Sequence, residues 1–255
     1  MNILFTNRDD WQPKLESAAK TLNATPIFAD FSPAEIAKAD YLFPIGIKDV
    51  LKASEHLSGK NLFPTIELIH TCEDKLKFEK LLYNHGLSKY SPYMDKAHRR
   101  FPYVLKGKQG EFGNNTFIVK NIAEELEISE KLKSPDYYLQ KYISGSNEYA
   151  LHFLFDGEGF RYFQEVKYEY GKEFAIKSPL YIPVSQTWSA TSLWRDDIAH
   201  ILKTIGYTGI GCLNYKVENN QLYIIELNAR IGGSMMPRVH ELIQVFIKYY
   251  DETLG

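Results

Sequence analysis

The sequence predicts a small parallel α/β unit followed by a larger α+β body, on two observations. Over roughly the first seventy residues, short apolar strands alternate with helical stretches, the rhythm of a parallel sheet with helices on its faces. From residue 103 onward strands come in pairs joined by turns rich in glycine and asparagine, the mark of antiparallel hairpins.

Each element has its own signal. Residues 2–6 are a continuous apolar run and read as the first strand, residues 11–22 as an amphipathic helix, and residues 25–28 as a second strand. Residues 33–39 open on a proline, which suits the first turn of a short helix. Residues 41–45 are a third strand, 48–56 a helix and 63–66 a last strand. A helix is predicted over 71–85, with Thr71 as N-cap, Glu73 and Asp74 in its first turn and Gly86 as its stop. Residues 87–100, with Pro92 and His98-Arg99-Arg100, form a connector. Strands at 103–108 and 115–120 flank a glycine-bearing loop, and a helix over 123–132 leads to a strand over 137–143. Two long strands, 148–155 and 160–168, are joined by Asp156-Gly157-Glu158-Gly159. A helix over 192–205, a hairpin of 209–217 with 221–228, and a helix over 239–250 complete the chain.

Composition narrows the function classes. The 255 residues carry 30 basic against 32 acidic side chains, so the basic excess of a dedicated nucleic-acid binder is missing. No apolar run is long enough to span a bilayer, and residues 1–10 lack the pattern of a signal peptide. Cys72 and Cys212 alone make neither a disulfide framework nor a zinc cluster, and a reducing cytoplasm is the expected setting. The first strand runs into Thr6-Asn7-Arg8-Asp9-Asp10-Trp11 without a glycine, which excludes a dinucleotide-binding turn there.

Three stretches carry chemistry. Lys106-Gly107-Lys108-Gln109-Gly110-Glu111-Phe112-Gly113 combines glycines, which let backbone N–H groups turn toward an anion, with two lysines; it lacks the ending of a Walker A loop. In Ile224-Ile225-Glu226-Leu227-Asn228-Ala229-Arg230, an extended chain puts Glu226, Asn228 and Arg230 on one face and Ile225 and Leu227 on the other. A carboxylate and an amide oxygen so spaced can share a hard cation, and the arginine beyond can hold an anion. Patterning favours a three-residue loop Asn219-Asn220-Gln221, which sets Asn214 opposite Glu226 as a third contact. That register gathers Leu213, Tyr215, Val217, Tyr223, Ile225 and Leu227 on one face. A two-residue turn would set Leu213 there instead. Finally, Gln140-Lys141-Tyr142-Ile143, followed by Gly145 and Glu148, can offer strand-end N–H and C=O groups to a purine edge and a carboxylate to ribose hydroxyls. His152 and Cys212 read as packed residues, Met235-Met236 as packing or pocket-lining, and Arg8 and Arg238 as ion-paired or solvated.

In this order the motifs resemble the ATP-grasp superfamily, and within it the biotin carboxylase and carbamoyl-phosphate synthetase branch, over roughly residues 70–240. The resemblance implies an N-terminal α/β domain at 1–72 and an ATP-grasp domain of two α+β subdomains at 73–255, with a lid at about 101–143. It assigns ATP phosphates to Lys75, Lys106 and the loop glycines Gly110 and Gly113. Adenine goes to the main chain of Gln140, Lys141, Tyr142 and Ile143, and ribose to Glu148. Mg2+ goes to Glu226, Asn228 and Asn214, and the transferring phosphate to Arg230. The implied reaction is ATP- and Mg2+-dependent joining of a small-molecule carboxylate to an amine through an acyl phosphate. The alternatives are an ATP-binding regulatory or assembly subunit of weak turnover, and a kinase acting on a hydroxyl. Two departures matter. The family usually has Glu, Gln or Asp where Asn214 stands, and Gly232-Gly233-Ser234-Met235-Met236 replaces the acid-bearing stretch of biotin-type carboxylases, which argues against bicarbonate and biotin chemistry. The chain stops soon after its last helix, so the acceptor site is expected to be completed by the first domain, by a second copy or partner subunit, or left open.

Overall fold

In the computed structural model, which describes residues 1–110, 115–175 and 182–254, three sheets divide the chain. The first is parallel. β1 (Asn2–Thr6) lies between β2 (Thr25–Ala29) and β3 (Tyr41–Phe43), with α1 (Gln12–Thr21), α2 (Pro33–Ile36) and α3 (Ile47–His56) as connections. The expected fourth strand at 63–66 is absent, for a local reason. Thr65 caps the next helix by accepting from Leu68 N–H, while the carbonyls of Phe63 and Pro64 accept from Thr208 and Ser54. Those backbone groups are spent on caps and tertiary contacts, so no ladder forms.

The helix expected over 71–85 is two helices, α4 (Ile66–Glu73) and α5 (Lys75–Asn84). Thr71 is no cap; its hydroxyl donates back to Glu67 O within α4. Asp74 is the cap of α5, accepting from Leu76 and Lys77 N–H, and it stands extended at φ −102°, ψ 101°, which breaks the helix. This break places Lys75 at the first position of a new helix.

The second sheet, ordered β4-β7-β5-β6, combines β4 (Tyr93–Met94), β5 (Tyr103–Gly107), β6 (Thr116–Val119) and β7 (Tyr137–Lys141). The connector at 87–100 thus supplies a short strand, and the helix expected over 123–132 is split into α6 (Ile122–Glu127) and α7 (Ser129–Lys133). Tyr103, Leu105, Val119 and Leu139 form a small core separate from the main one.

The third sheet is ordered β10-β9-β8-β11-β12, from β8 (Asn147–Phe155), β9 (Phe160–Glu169), β10 (Ser185–Ser189), β11 (Gly209–Glu218) and β12 (Gln221–Asn228). β10 has no apolar alternation and was not anticipated; it is recruited by pairing with β9. One face of this sheet packs against α8 (Arg195–Thr204) and α9 (Val239–Leu254). That core continues without a break into the parallel sheet, because α9 also contacts α1 and β3.

The β11–β12 hairpin reaches the expected pairing by a different route. Its turn has two residues, Asn219 and Asn220 at φ 51° and 56°, with Glu218 opposite Gln221. A bulge at the Asn214/Tyr215 step then absorbs one residue of β12, so Tyr215 faces Ile224 while Asn214 still faces Glu226. The apolar face consequently differs from the expected set: Leu222, Ile224 and Leu227 are buried, whereas Tyr223 and Ile225 are only half-buried.

Candidate nucleotide-binding site

The antiparallel register of the third sheet arranges its open face in rows. Glu148, Tyr168 and Lys216 share one end; Ala150, Val166, Asn214 and Glu226 come next; His152, Gln164, Cys212 and Asn228 follow. The face of the second sheet bearing Val104, Lys106, Thr116, Ile118 and Gln140 stands over it, and the two enclose a cavity of about 460 Å3. Every expected site residue that is described, from Lys75 to Arg230, lines it; Gly113 lies outside the described residues.

The two lysines, far apart in sequence, meet at one carboxylate. Lys75 Nζ lies 3.8 Å and Lys106 Nζ 4.0 Å from Glu226 Oε2. Lys75 also donates to Gly110 O at 2.7 Å, and its backbone N–H donates to Lys108 O, which docks the start of α5 on the glycine loop. Lys106 is 4% exposed and donates to Ile225 O at 2.8 Å. Ile225 is the residue absorbed by the bulge, so the irregularity that keeps Asn214 opposite Glu226 also supplies the acceptor for Lys106. Burial pushes the Lys106 ammonium down, with Glu226 pulling the other way. Burial alone would raise the Glu226 carboxyl, but Lys106, Lys75 and the amides of Asn228 and Asn214 outweigh it and hold it at about 2. Asn214 Nδ2 donates to Glu226 Oε1 at 2.8 Å and Asn228 Nδ2 at 3.3 Å. Ile225, expected on the face away from Glu226, lines the cavity beside it because of the bulge.

Arg230 donates to Ile231 O and lines both this cavity and a second of about 330 Å3, reached past Cys72, Glu73 and Gln109. Lys75, Gln109, Gly110, Glu226 and Asn228 also line both spaces. Beyond Arg230, Gly232 packs so closely that a Cβ there would lie 2.7 Å from both Cys212 Sγ and His152 Cε1. His152 is fully buried with Nε2 2.8 Å from Ser234 Oγ. Gly233 packs on Trp11, over which the Arg8 guanidinium stacks at 4.1 Å, so the loop after β1 reaches this end of the cavity. Arg8 and Arg238 are ion-paired, with Asp10 and Glu241. Met235 and Met236 are buried in the main core.

At the opposite end the hinge differs from a free strand edge. β7 is flanked by β4 and β5, so Gln140 sits inside a ladder on both sides, and Lys141 N–H donates to Pro92 O at 2.6 Å. Beyond that ladder lie Tyr142 and Ile143, both buried and lining the cavity. The Lys141 ammonium turns outward to Glu218 and Tyr223. Glu218, at the end of β11, also accepts from Ser144 N–H at 2.8 Å and its hydroxyl at 2.7 Å, locking the hinge to the third sheet. Sequence reasoning gave no role to Lys216, Glu79 or Glu218. Parity with Asn214 was the available signal for Lys216, which donates to Gly145 O at 2.8 Å beside Glu148. Glu79 and Glu218 act across sequence gaps that no local pattern reports.

Glu218 provides a stability prediction. Burial raises its carboxyl, but Lys141 and Ser144 overcome this and hold it at about 2, below its ordinary 4.5. A lowered carboxylate stabilises the fold above the unfolded value and loses that contribution as pH falls from about 4.5 through about 2. Glu218→Gln is expected to cost about 1–2 kcal/mol at pH 7 and to flatten the acid limb in that window. Denaturant unfolding of both proteins between pH 2 and 7 measures it, and an unchanged acid limb would contradict it.

Comparison with known proteins identifies the family. The profile of the ATP-grasp domain family matches residues 72–234. Among curated proteins, pyruvate carboxylase of Bacillus subtilis (strain 168) is 23% identical over 145 residues, 51% of this chain but 12% of that protein. Among solved structures, D-alanine–D-alanine ligase from Bacillus anthracis complexed with ATP is similar at TM-score 0.62 and 14% identity, covering 99% of this chain and 95% of that one. Phosphoribosylglycinamide synthetase from Anaerococcus prevotii is similar at TM-score 0.61 and 15% identity, over 94% and 70%. Biotin carboxylase from Campylobacter jejuni, complexed with β,γ-ATP, is similar at TM-score 0.55 and 17% identity, over 97% and 69%. No helix among the described residues is long and apolar enough to cross a membrane.

Proposed function

Since this chain belongs to the ATP-grasp domain family, we propose that it is an ATP- and Mg2+-dependent ligase that activates a small-molecule carboxylate as an acyl phosphate for attack by an amine. The observation that carries this reading is the convergence of Lys75 and Lys106 on Glu226, beside Asn214, Asn228 and Arg230 in one cavity.

The donor set suits the group it is asked to hold. Glu226 offers a carboxylate kept charged, and Asn214 and Asn228 offer amide oxygens, all hard donors of the kind magnesium takes. Bound there, Mg2+ would supply charge neutralisation to the nucleotide's phosphates. The chain's own cations do the rest. Lys75, tethered to Gly110 O, and Lys106, tethered to Ile225 O, present ammonium groups to phosphate oxygens without losing side-chain freedom at that moment. The neighbouring amino group of Lys216 and carboxylate of Glu148 fit a ribose-facing end.

The second cavity, lined by Lys75, Glu226 and Arg230 together with Cys72 and Glu73, gives the acceptor a place beside the phosphate-facing residues. An oxygen of the substrate carboxylate attacks the γ-phosphorus, ADP leaves, and the acyl phosphate forms. The amine then adds to the carbonyl carbon, and the tetrahedral intermediate expels phosphate as the nitrogen loses its proton. Arg230, exposed to both cavities, stabilises charge first on the transferring phosphoryl group and then on the oxyanion. Two cavities sharing Lys75, Glu226 and Arg230 suit such a two-step sequence.

A mass-spectrometric screen with ATP, Mg2+ and paired pools of acids and amines tests the proposal. The expected product has the mass of acid plus amine less water, formed with equimolar ADP and phosphate. A stable phosphorylated product made without any amine would replace this reading by a kinase. ATP binding with no product from any pair would replace it by a nucleotide-binding module.

A further inference from the structure

Glu79 is the most deeply buried carboxylate among the described residues, 1% exposed, and it lies on α5 one turn beyond Lys75. Its surroundings come from three elements. Ser91, in the connector before β4, donates its hydroxyl to Oε2. Gln140 on β7 donates its amide to Oε1 at 2.5 Å. Lys106 on β5 is the charge that acts on it, and Glu79 in turn bears on the phenols of Tyr93 and Tyr138. The carboxylate carries a desolvation penalty, and it is the acceptor for two buried donors, the Ser91 hydroxyl and the Gln140 amide.

The consequence falls on Gln140. A charged carboxylate only accepts hydrogen bonds, so the amide must turn its NH2 toward Glu79. The second hydrogen of that NH2 goes to Tyr138 OH at 3.1 Å. Both amide donors are therefore committed to the interior, and the carbonyl oxygen is the polar atom Gln140 has left for the cavity it lines. The side chain stands on the cavity face of the second sheet, paired across the ladder with Val104. Because Gln140 lies within a ladder on both sides, its side chain rather than its main chain is placed to read a base.

Resting on the nucleotide-binding reading above, we infer that Glu79 is a positioning residue for base selectivity. It fixes the Gln140 carbonyl as an acceptor, which takes an N–H from a 6-amino purine and opposes the carbonyl of a 6-oxo purine. A site that pairs one and leaves the other facing an unpaired acceptor discriminates strongly, because the mismatch strands two acceptors against each other.

The test uses nucleotides alone and needs no knowledge of the acceptor. Mg-ATP and Mg-ITP, which differ at purine position 6, are titrated calorimetrically into the whole chain at pH 8. That is above the value of about 7 to which burial pushes Glu79 against the pull of Ser91, Gln140 and Lys106. Wild type is expected to favour ATP by at least about tenfold. In Glu79→Gln the new amide can donate to Gln140, whose own amide then turns over, so the preference should fall at least tenfold. A merely structural role would weaken both nucleotides by one factor and leave the ratio standing, and that result overturns the inference. If Glu79→Gln does not fold, Gln140→Leu must abolish the preference in its place; a retained preference overturns the inference equally. A wild type that binds ATP without preference removes this inference alone, whereas one that binds neither nucleotide removes the ligase reading as well.

Discussion

Replacement of Glu226 by alanine is expected to lower ATP turnover by about a thousandfold or more, with whichever acid and amine the product screen returns. The size follows from its position. Glu226 is the carboxylate that two lysines approach within 4.0 Å, and it accepts from two asparagine amides that otherwise have only neutral oxygens to offer a cation. Without it Lys106 keeps Ile225 O as its partner but stands buried beside the like charge of Lys75. Turnover should therefore fail through lost cation binding and through lysines that repel one another. Glu226→Gln keeps the shape and removes the charge, so it should be nearly as inactive while remaining folded. ADP release at saturating Mg2+ measures both variants. Retention of a tenth of wild-type turnover by either would show that the charge of Glu226 is dispensable.

Gly209→Ala should be among the most damaging single-methyl changes to stability, at roughly 2–4 kcal/mol. Gly209 opens β11 at φ 92°, a conformation that penalises any side chain. In addition, a Cβ would lie 2.6 Å from Leu62 O and 2.9 Å from Phe63 Cα, which are backbone atoms that cannot rotate away. The strand start is pressed against the chain segment that failed to become a strand, and Thr208 holds it there through Phe63 O. Gly206, at φ 69° with nothing within 4 Å of a Cβ, is the control and should lose only about 1 kcal/mol on the same substitution. Urea unfolding of the two variants separates conformational strain from collision. Equal losses would mean that the contact with Leu62 and Phe63 relaxes freely.

Much of the lining of the candidate site was legible without coordinates. Lys75, Lys106, Gln140, Glu148, Asn214, Glu226, Asn228 and Arg230 all line one cavity. All but Lys75 stood in a local pattern, a strand parity, a glycine loop or a strand end, whereas Lys75 was named by the resemblance alone, inside a helix expected to start at Thr71. Partners that lie far away in sequence left no such mark. Glu79 meets Gln140 across 61 residues, and Glu218 meets Ser144 across 74. The hairpin shows how a right pairing can rest on a wrong loop. Alternation counted from an assumed three-residue loop set Asn214 against Glu226, whereas a two-residue turn and a bulge do so in fact. Local alternation cannot distinguish these, because a bulge and a lengthened turn shift the register by the same single residue.

By itself the sequence determined most of the succession of strands and helices, though not β4, β10 or the breaks between α4 and α5 and between α6 and α7, because burial periodicity, turn residues and caps act over only a few neighbours. Tertiary structure alone decided which buried polar groups from distant segments meet. Where residues 63–65 send their carbonyls, which charges flank Lys106, and which way the Gln140 amide faces are all set by groups brought together only once the three sheets have packed. A buried donor or acceptor must find its partner wherever folding places one, and that demand has no range limit along the chain.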